Sequence, residues 1–220
     1  MVTGANRGIG LEFARRLVER GDTVVATARR PEAAEALRAT GARIEALDVS
    51  DPASVERFAA SLGDLAVDVL LNNAGAMERA GDVGGIDYAA MQRQFDVNAL
   101  GPLRVTEALL PALRRADRAL VANMTSRMGS IEDNTSGGSF SYRASKAALN
   151  MINRSLAHDL AGDGIACIVL HPGWVRTDMG GDGAPLTVEE SVAGLLRVID
   201  GAGARETGRF FAFDGEDLPW

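Results

Sequence analysis

Short runs of β-branched and aliphatic residues alternate with helical patterns along most of this 220-residue chain. Apolar runs of this length, bounded by turn residues, are typical of strands buried on both faces. They predict strands at residues 24–27, 43–47, 67–71, 119–123 and 165–170, with helices at 9–20, 52–62, 88–115 and 141–160. The alternation predicts an α/β fold over residues 1–220, a single domain with a doubly wound parallel sheet and helices on both faces. Sheets of this kind bind ligands at the carboxyl ends of their strands.

Charge and composition exclude several classes of function. The formal net charge is −7 and the pI is about 4.9, so neither nucleic acid nor an anionic membrane is an expected partner. The single cysteine, Cys167, has no partner for an internal disulfide, which favours a reducing, cytoplasmic location. No apolar run approaches the roughly 20 residues that span a bilayer. No His/Cys cluster has metal-ligand spacing, so no metal site is expected.

A glycine-rich segment, TGANRGIG at residues 3–10, precedes the first predicted helix. Gly4, Gly8 and Gly10 allow a tight turn and a close approach of backbone N–H groups to a pyrophosphate at the helix N-terminus. A glycine-rich turn without a ligand is the alternative. Only Met1 and Val2 precede this segment, so the first strand is either very short or begins upstream of the given sequence.

The end of the second predicted strand indicates which dinucleotide the fold would bind. An acidic residue at this position commonly accepts a hydrogen bond from the ribose 2′-OH of NAD. The chain has Arg29 and Arg30 instead, with no acid before Glu32. A guanidinium binds a 2′-phosphate by two hydrogen bonds, and Arg7 adds a second positive charge. NADP(H) is therefore favoured over NAD(H), unless these arginines only form a solvated helix start.

Tyr142 and Lys146 are the most distinctive pair in the sequence. Lys146 is the only lysine, and it lies four residues after one of only two tyrosines. Residues four apart on a helix are neighbours on one face. An ammonium one turn away is expected to lower the pKa of the tyrosine, which is near 10 when free. A flexible ammonium suits the additional task of binding ribose hydroxyls better than a planar guanidinium does.

These motifs together resemble the short-chain dehydrogenase/reductase family over essentially the whole chain. The matching residues are Thr3-Gly4-x-x-x-Gly8-x-Gly10, Asn72-Asn73-Ala74-Gly75, Asn98, Ser126, Tyr142-x-x-x-Lys146 and Pro172-Gly173. Within the family, SRMGS, GGSFSYRASKAALN and the final FDGEDLPW resemble the C-factor and Sniffer-type carbonyl reductases. The resemblance implies a Rossmann-type fold and assembly as a homodimer or homotetramer.

The resemblance also implies roles for individual residues. Asn98, Ser126, Tyr142 and Lys146 would form the catalytic set, with Asn98 holding a water in a proton relay. Asp48 and Val49 would reach the adenine ring, and Thr177 the nicotinamide carboxamide. The residues implied to bind the cofactor are Gly4, Asn6, Arg7, Gly8, Ile9, Gly10, Arg29, Asp48, Val49, Asn72, Ala74, Gly75, Tyr142, Lys146, Pro172, Gly173, Val175 and Thr177.

The catalytic serine is ambiguous from spacing. Ser126 lies sixteen residues before Tyr142, further than is usual in the family, whereas Ser130 lies twelve before it. Ser126 is preferred because Thr125-Ser126-x-x-Gly129 matches the pattern at the strand end. The segment EDNTSGG would then bulge between serine and tyrosine, near the substrate.

The expected function is NADP(H)-dependent reduction of a small or medium aldehyde or ketone to an alcohol, with Tyr142 as the acid and base. A short loop at about residues 176–187 is expected to cover the substrate. Two alternatives remain open: a signalling or regulatory protein of C-factor type that binds NAD(P) and turns over little, and an NAD-linked alcohol dehydrogenase.

Overall fold

The protein is built on one twisted parallel sheet, seen in a computed structural model that describes all 220 residues. Its strands are β1 (Val25–Ala28), β2 (Arg43–Ala46), β3 (Val69–Asn72), β4 (Leu120–Met124), β5 (Ala166–His171) and β6 (Phe210–Ala212). Strands β1 and β2 pair with each other, and β3, β4, β5 and β6 pair in that order, all in parallel. The five predicted strands are therefore confirmed.

Val2 joins the two groups of strands. It forms parallel bridges with Ala26 on one side and with Leu71 on the other. The backbone N–H of Val2 donates to Val25, and its carbonyl accepts from Thr27, both at 2.9 Å. Val2 thus occupies the position of a first strand between β1 and β3. The spatial order of the sheet is β2-β1-Val2-β3-β4-β5-β6.

Helices cover both faces of the sheet. They are α1 (Gly8–Arg20), α2 (Glu35–Arg38), α3 (Pro52–Ser61), α4 (Tyr88–Phe95), α5 (Gly101–Ala108), α6 (Leu110–Leu113), α7 (Phe140–Asp159) and α8 (Val188–Gly201). One core lies under α1 and α8, around Phe13 and Leu195. The other lies under α3 and α5, around Phe58 and Leu109. No helix has both the length and the apolar character needed to cross a membrane.

Helix starts follow the local sequence. Asp51 accepts a hydrogen bond from Ala53 N–H, with Pro52 at the first helical position of α3. At α8, Thr187 and Glu190 form a reciprocal capping box. Both starts are predicted by the sequence, since the Asp-Pro pair and the Thr-x-x-Glu spacing are typical N-terminal signals.

The single helix predicted at 88–115 is wrong. The segment instead forms α4, a π-helical turn at Asp96–Leu100, α5 and α6. Pro102 and Pro111 lie at the starts of α5 and α6, where their missing N–H groups cost no helical hydrogen bond. The π turn widens the helix without ending it, since Phe95 and Gly101 beside it keep right-handed helical backbone; it carries Asn98, which has 0% of its surface exposed.

Candidate active site

A cleft of about 710 Å³ opens at the carboxyl ends of β4 and β5. Ser126 and Tyr142 both line it, so the structure brings these two sequence-predicted residues together. Further predicted residues in the lining are Ile9, Pro172, Gly173, Val175 and Thr177. The cleft therefore extends from the glycine-rich segment to the loop that follows β5.

Ser126 lies two residues after the end of β4 and caps the start of a 3₁₀ turn. Its Oγ accepts a hydrogen bond from Met128 N–H at 3.2 Å, which leaves the hydroxyl proton available for donation into the cleft. Ser130, the alternative from spacing, is 2% exposed and does not line the cleft. Its Oγ donates to the Trp220 carbonyl at 3.1 Å and accepts from Asp133 N–H at 3.0 Å. Ser130 therefore holds the chain end and the following loop, and its hydroxyl is already engaged.

Tyr142 and Lys146 lie one turn apart on α7, with the lysine Nζ 5.8 Å from the centroid of the tyrosine ring. Lys146 is 4% exposed, and burial lowers its pKa from 10.5 to about 8. The sequence predicts that the Lys146 ammonium lowers the pKa of Tyr142, but in the protein without cofactor the pKa of Tyr142 is raised. Burial raises that pKa, and the Ser126 hydroxyl offsets only part of the effect. The phenol consequently keeps its proton at neutral pH.

The side chain of Asn98 is fixed by protein partners. Its Oδ1 accepts from Ala76 N–H at 2.8 Å, while Nδ2 donates to the Ala76 carbonyl at 2.8 Å and to Ser145 Oγ at 3.0 Å. Both amide donors are thus used. A water held by Asn98 would have to bond its backbone carbonyl or the second lone pair of Oδ1, and this role stays a prediction.

The glycine-rich segment forms the turn that its sequence predicts. Gly4 and Gly8 have positive φ values of 63° and 54°, in the left-handed region that favours glycine. A Cβ on Gly10 would lie 2.5 Å from the Gly4 carbonyl oxygen, so the turn closes on itself without room for a side chain. No side chain caps the N-terminus of α1, which leaves its first N–H groups available to an anion. Asn6 is exposed beside them.

Arg7 does not stand free as a second phosphate ligand. Its guanidinium is exposed but pairs with Asp178 in the loop after β5. A Cβ on the neighbouring Gly8 would lie 3.4 Å from Thr177 Cγ2, so the two segments also touch at this point. These contacts bring Thr177 to the glycine-rich turn, on the side predicted to hold the nicotinamide.

Arg29, Asp48 and Val49 lie together beyond the ends of β1 and β2. Arg29 is exposed. Burial opposes ionisation of Asp48, but hydrogen bonds from Ser50 and the charge of Arg29 outweigh it, so the pKa of Asp48 falls. Val49 is buried, and its carbonyl accepts from Arg104 at 3.3 Å. None of the three lines the catalytic cleft.

Asn72 faces the interior and does not reach an open surface. It is 2% exposed, and its Nδ2 donates to Thr106 Oγ1 at 3.1 Å and to Asn123 Oδ1 at 2.8 Å. Asn123 Nδ2 continues the chain of buried amides to Asn153 Oδ1 on α7 at 2.9 Å. The buried Asn72 Oδ1 has no hydrogen-bond partner. Asn72 therefore connects strands and helices, whatever it also contributes to ligand binding.

Asn73 is a site residue to which sequence reasoning gave no role. Its Nδ2 donates to the carbonyls of Thr3 and Gly4 at 2.9 and 3.1 Å, while its backbone N–H and that of Ala74 donate to Thr3 Oγ1 at 3.0 Å. Asn73 thus shapes the glycine-rich turn. Gly75 is exposed, and a Cβ there would lie 3.6 Å from the Nζ of Lys146.

The loop after β5 is pinned at its base. Arg176 N–H donates to the Leu186 carbonyl at 2.9 Å, and Leu186 N–H donates to Trp174 at 3.2 Å. Gly173 has a φ of 83°, and a Cβ there would lie 2.3 Å from Leu186 Cδ1. Trp174, Met179 and Gly180 from this loop line the cleft. The loop predicted at about 176–187 therefore forms one wall of the site.

The opposite wall includes residues that the sequence did not single out. Met77, Arg127, Met128, Asp133, Arg143 and His171 line the cleft. Asp133 comes from the EDNTSGG segment, where residues 131–139 are all exposed. The one sequence feature that could have pointed to Arg143 as a cleft residue is its position directly after Tyr142.

A family model described as short chain dehydrogenase matches residues 1–184. The chain belongs to the short-chain dehydrogenase family. The resemblance of the sequence motifs to that family is thereby confirmed, together with the Rossmann-type doubly wound fold.

Two bacterial proteins are similar in sequence to this short-chain dehydrogenase. C-signal of Myxococcus xanthus is 53% identical over 163 residues, covering 74% of this chain and 98% of that protein. The 1-hydroxy-2-glutathionyl-2-methyl-3-butene dehydrogenase of Rhodococcus sp. (strain AD45) is 41% identical over 227 residues, covering 100% of this chain and 98% of that enzyme.

Solved structures agree with the fold over its full length. The carbonyl reductase Sniffer of D. melanogaster superposes with a TM-score of 0.94 at 32% identity, covering 100% of this chain and 98% of that one. A carbonyl reductase from chicken fatty liver with NADPH bound gives 0.92 at 36% identity, covering 100% and 97%. A Pseudomonas aeruginosa PAO1 carbonyl reductase in complex with NADP gives 0.83 at 39%, covering 100% and 98%.

Proposed function

We propose that this protein is an NADP(H)-dependent carbonyl reductase that converts a small or medium aldehyde or ketone to the alcohol. The single observation that carries the proposal is the convergence of Ser126 and Tyr142 on one open cleft, with Lys146 buried beside the tyrosine. The carbonyl reductases among the structural neighbours support the same reaction class.

The residues present fit a phosphorylated dinucleotide. The uncapped N-terminus of α1 offers backbone donors to a pyrophosphate. Arg29 is exposed and forms no salt bridge within the protein, so its guanidinium would be available to bind the 2′-phosphate of NADP(H). The Lys146 ammonium has three donors, of which one is used on the Met124 carbonyl at 2.8 Å, so two remain for ribose hydroxyls. Neighbours with NADP or NADPH bound support this assignment.

The chemistry follows from the protonation states of the site. When bound, NADPH would supply the hydride that adds to the carbonyl carbon. The Ser126 hydroxyl donates a hydrogen bond to the carbonyl oxygen and so stabilises the developing negative charge. Tyr142, whose pKa is raised by burial, holds the proton that the oxygen requires. Lys146, whose pKa burial lowers to about 8, would take part with Asn98, a water and a ribose hydroxyl in the relay that returns a proton to the phenolate.

The test is NADPH consumption by the purified protein across a panel of aldehydes, ketones and diketones. We expect turnover that depends on both a carbonyl substrate and Tyr142, with NADPH preferred to NADH. Absence of turnover across the panel, with NADPH still bound, would refute the proposal. A preference for NADH with an alcohol would instead support the NAD-linked alternative.

The similarity to C-signal keeps one further candidate: an NAD(P)-binding regulatory protein with little turnover. The complete Ser126, Tyr142 and Lys146 group argues against it, because binding alone needs no proton donor in the cleft. Intact cofactor binding without turnover in the same panel would favour this candidate.

A further inference from the structure

Arg143 is a positive charge in the cleft that no carboxylate of the protein neutralises. It follows Tyr142 on α7, is half-buried and lines the cleft. Its Nη2 donates to Ser136 Oγ at 2.8 Å and its Nε to the Gly137 carbonyl at 3.2 Å. Both acceptors are neutral oxygens. A guanidinium has five N–H donors, so these two bonds position the group without exhausting it.

The other guanidinium in the cleft is in a different state. Arg127 donates to Glu216 at 2.8 Å and lies 3.9 Å from Asp133, so its charge is balanced by two carboxylates. Asp133 is the only carboxylate in the cleft lining. The one salt bridge of Asp133 is with Arg127. Arg143 is therefore the cleft cation that remains without a counter-charge.

The cleft lining as a whole carries an excess of positive charge. Its lining carries two arginines and one aspartate, which is a net positive balance in a chain of net charge −7. His171 is the remaining titratable base, and burial together with the charge of Arg127 lowers its pKa to about 4, so it is neutral at physiological pH. The walls otherwise offer Met77, Met128 and Trp174.

We propose that Arg143 forms a carboxylate-binding subsite beside the reducing centre, and that the preferred substrates are aldehydes or ketones bearing a carboxylate group. This inference rests on the proposed function. A guanidinium binds a carboxylate through two parallel charge-assisted hydrogen bonds, which orient the ligand as well as hold it. With the carbonyl between Ser126 and Tyr142, a carboxylate at the other end of the molecule would meet Arg143 along the same cleft wall.

Two kinds of compound share this chemistry: small carbonyl acids, and peptide adducts such as glutathione conjugates. The Rhodococcus relative is named for a glutathionyl substrate, and glutathione bears two carboxylates. The insertion that supplies Ser136 and Gly137 to Arg143 is fully exposed, which leaves the cleft open on that side to a long ligand.

The test compares 4-carboxybenzaldehyde with its neutral methyl ester, methyl 4-formylbenzoate, as substrates with NADPH. We expect kcat/KM to favour the acid by about tenfold in the wild type, from the ordinary strength of a hydrogen bond between charged groups. Arg143→Gln should remove this preference, so that the acid loses about tenfold more in kcat/KM than the ester does. Arg143→Lys should keep part of it. Arg197→Gln, an equal charge change at an exposed residue of α8, should keep all of it.

Glutathione added as a competitor separates the two ligand sources. Competitive inhibition that Arg143→Gln abolishes would assign peptide adducts, and absence of inhibition would assign small carbonyl acids. No acid preference in the wild type, or an equal loss for acid and ester in Arg143→Gln, would overturn the subsite.

Calorimetric binding of the same acid and ester to the NADPH complex provides a readout independent of turnover. If no carbonyl is reduced, the proposed reaction fails. The subsite then stands only when the acid binds about tenfold more tightly than the ester and Arg143→Gln removes the difference. Equal binding of the two compounds would overturn it.

Discussion

The Nζ of Lys146 donates a 2.8 Å hydrogen bond to the backbone carbonyl of Met124, the last residue of β4. This bond ties the only lysine of the chain to the strand end that also presents Ser126. The relative positions of the serine, tyrosine and lysine are consequently set by one strand and one helix, both rigid elements.

Replacing Lys146 with arginine is expected to remove most of the reductase activity although the formal charge is unchanged. A guanidinium is larger and planar, and it cannot occupy the buried space between Met124 and Gly75 while presenting donors as an ammonium does. Steady-state kcat/KM with NADPH measures the loss, and circular dichroism checks the fold. A fully active arginine variant would contradict the role of the lysine.

Tyr142→Phe should reduce kcat by about 10²–10⁴-fold, the usual contribution of a positioned proton donor. The phenyl ring keeps the shape of the cleft wall, so NADPH should bind with unchanged affinity in a fluorescence titration. Turnover close to that of the wild type would show that another group delivers the proton.

Ser126→Ala and Ser130→Ala should separate the two serines. Loss of the donor at Ser126 should lower kcat by about 100-fold or more, with little change in stability. Ser130→Ala removes buried hydrogen bonds to Trp220 and Asp133, so it should cost about 1–3 kcal/mol of unfolding free energy and leave kcat within a few-fold. Kinetics and urea unfolding measure both effects. The reverse pattern would assign the catalytic serine to position 130.

Arg29→Ala should weaken NADPH binding by about 10- to 100-fold, as expected for a lost charge-assisted contact with the 2′-phosphate. NADH binding should change little, since NADH lacks that group. Arg30→Ala serves as the matched control on the adjacent exposed residue. Equal losses for the two cofactors, or a larger effect at Arg30, would contradict the assignment of Arg29.

Lys146 should also leave a signature in the pH dependence of stability. Its pKa falls from 10.5 to about 8 on folding, so between these values the unfolded chain binds more protons and stability rises with pH. Relative to Lys146→Met, the wild-type unfolding free energy should rise by about 2 kcal/mol from pH 8 to pH 10.

The comparison with Lys146→Met is needed because other groups oppose the trend. Burial raises the pKa of Cys167 to about 12 and also raises that of Tyr142, so both lower stability as the pH rises. These contributions cancel between the two proteins. Urea unfolding at several pH values measures the difference in unfolding free energy between the wild type and Lys146→Met. If that difference does not change with pH, folding does not lower the pKa of Lys146.

The sequence predicts the repeating part of the fold well, because a strand buried on both faces needs a continuous apolar run. The strands at 69–72 and 120–124 are visible for that reason. Strand β6 was not predicted, since Phe210–Ala212 is only three residues long. The departure from a regular helix at 88–115 depends on a π turn, which leaves no pattern of spacing in the sequence.

The candidate site was predictable where chemistry is local and not where it depends on distant partners. The Tyr142–Lys146 pair follows from helical spacing alone. The choice between the serines does not, because Ser130 is occupied by Trp220, ninety residues further along the chain. The pKa direction of Tyr142 was also beyond reach, because desolvation by the surrounding elements opposes the shift that a nearby ammonium suggests. The uncompensated charge of Arg143 likewise becomes visible only when its neighbours are known.

The buried amide chain from Asn72 through Asn123 to Asn153 has a consequence for altering substrate choice. Asn153 lies eleven residues after Tyr142, about three turns along α7, and its amide fixes how far that helix can slide over the sheet. The position of the Tyr142 hydroxyl along the helix axis is therefore fixed relative to the strands by residues that lie outside the cleft. We therefore expect substitutions at the mouth of the cleft to change which ligands bind without moving Tyr142, because the three buried asparagines that position its helix lie away from the mouth.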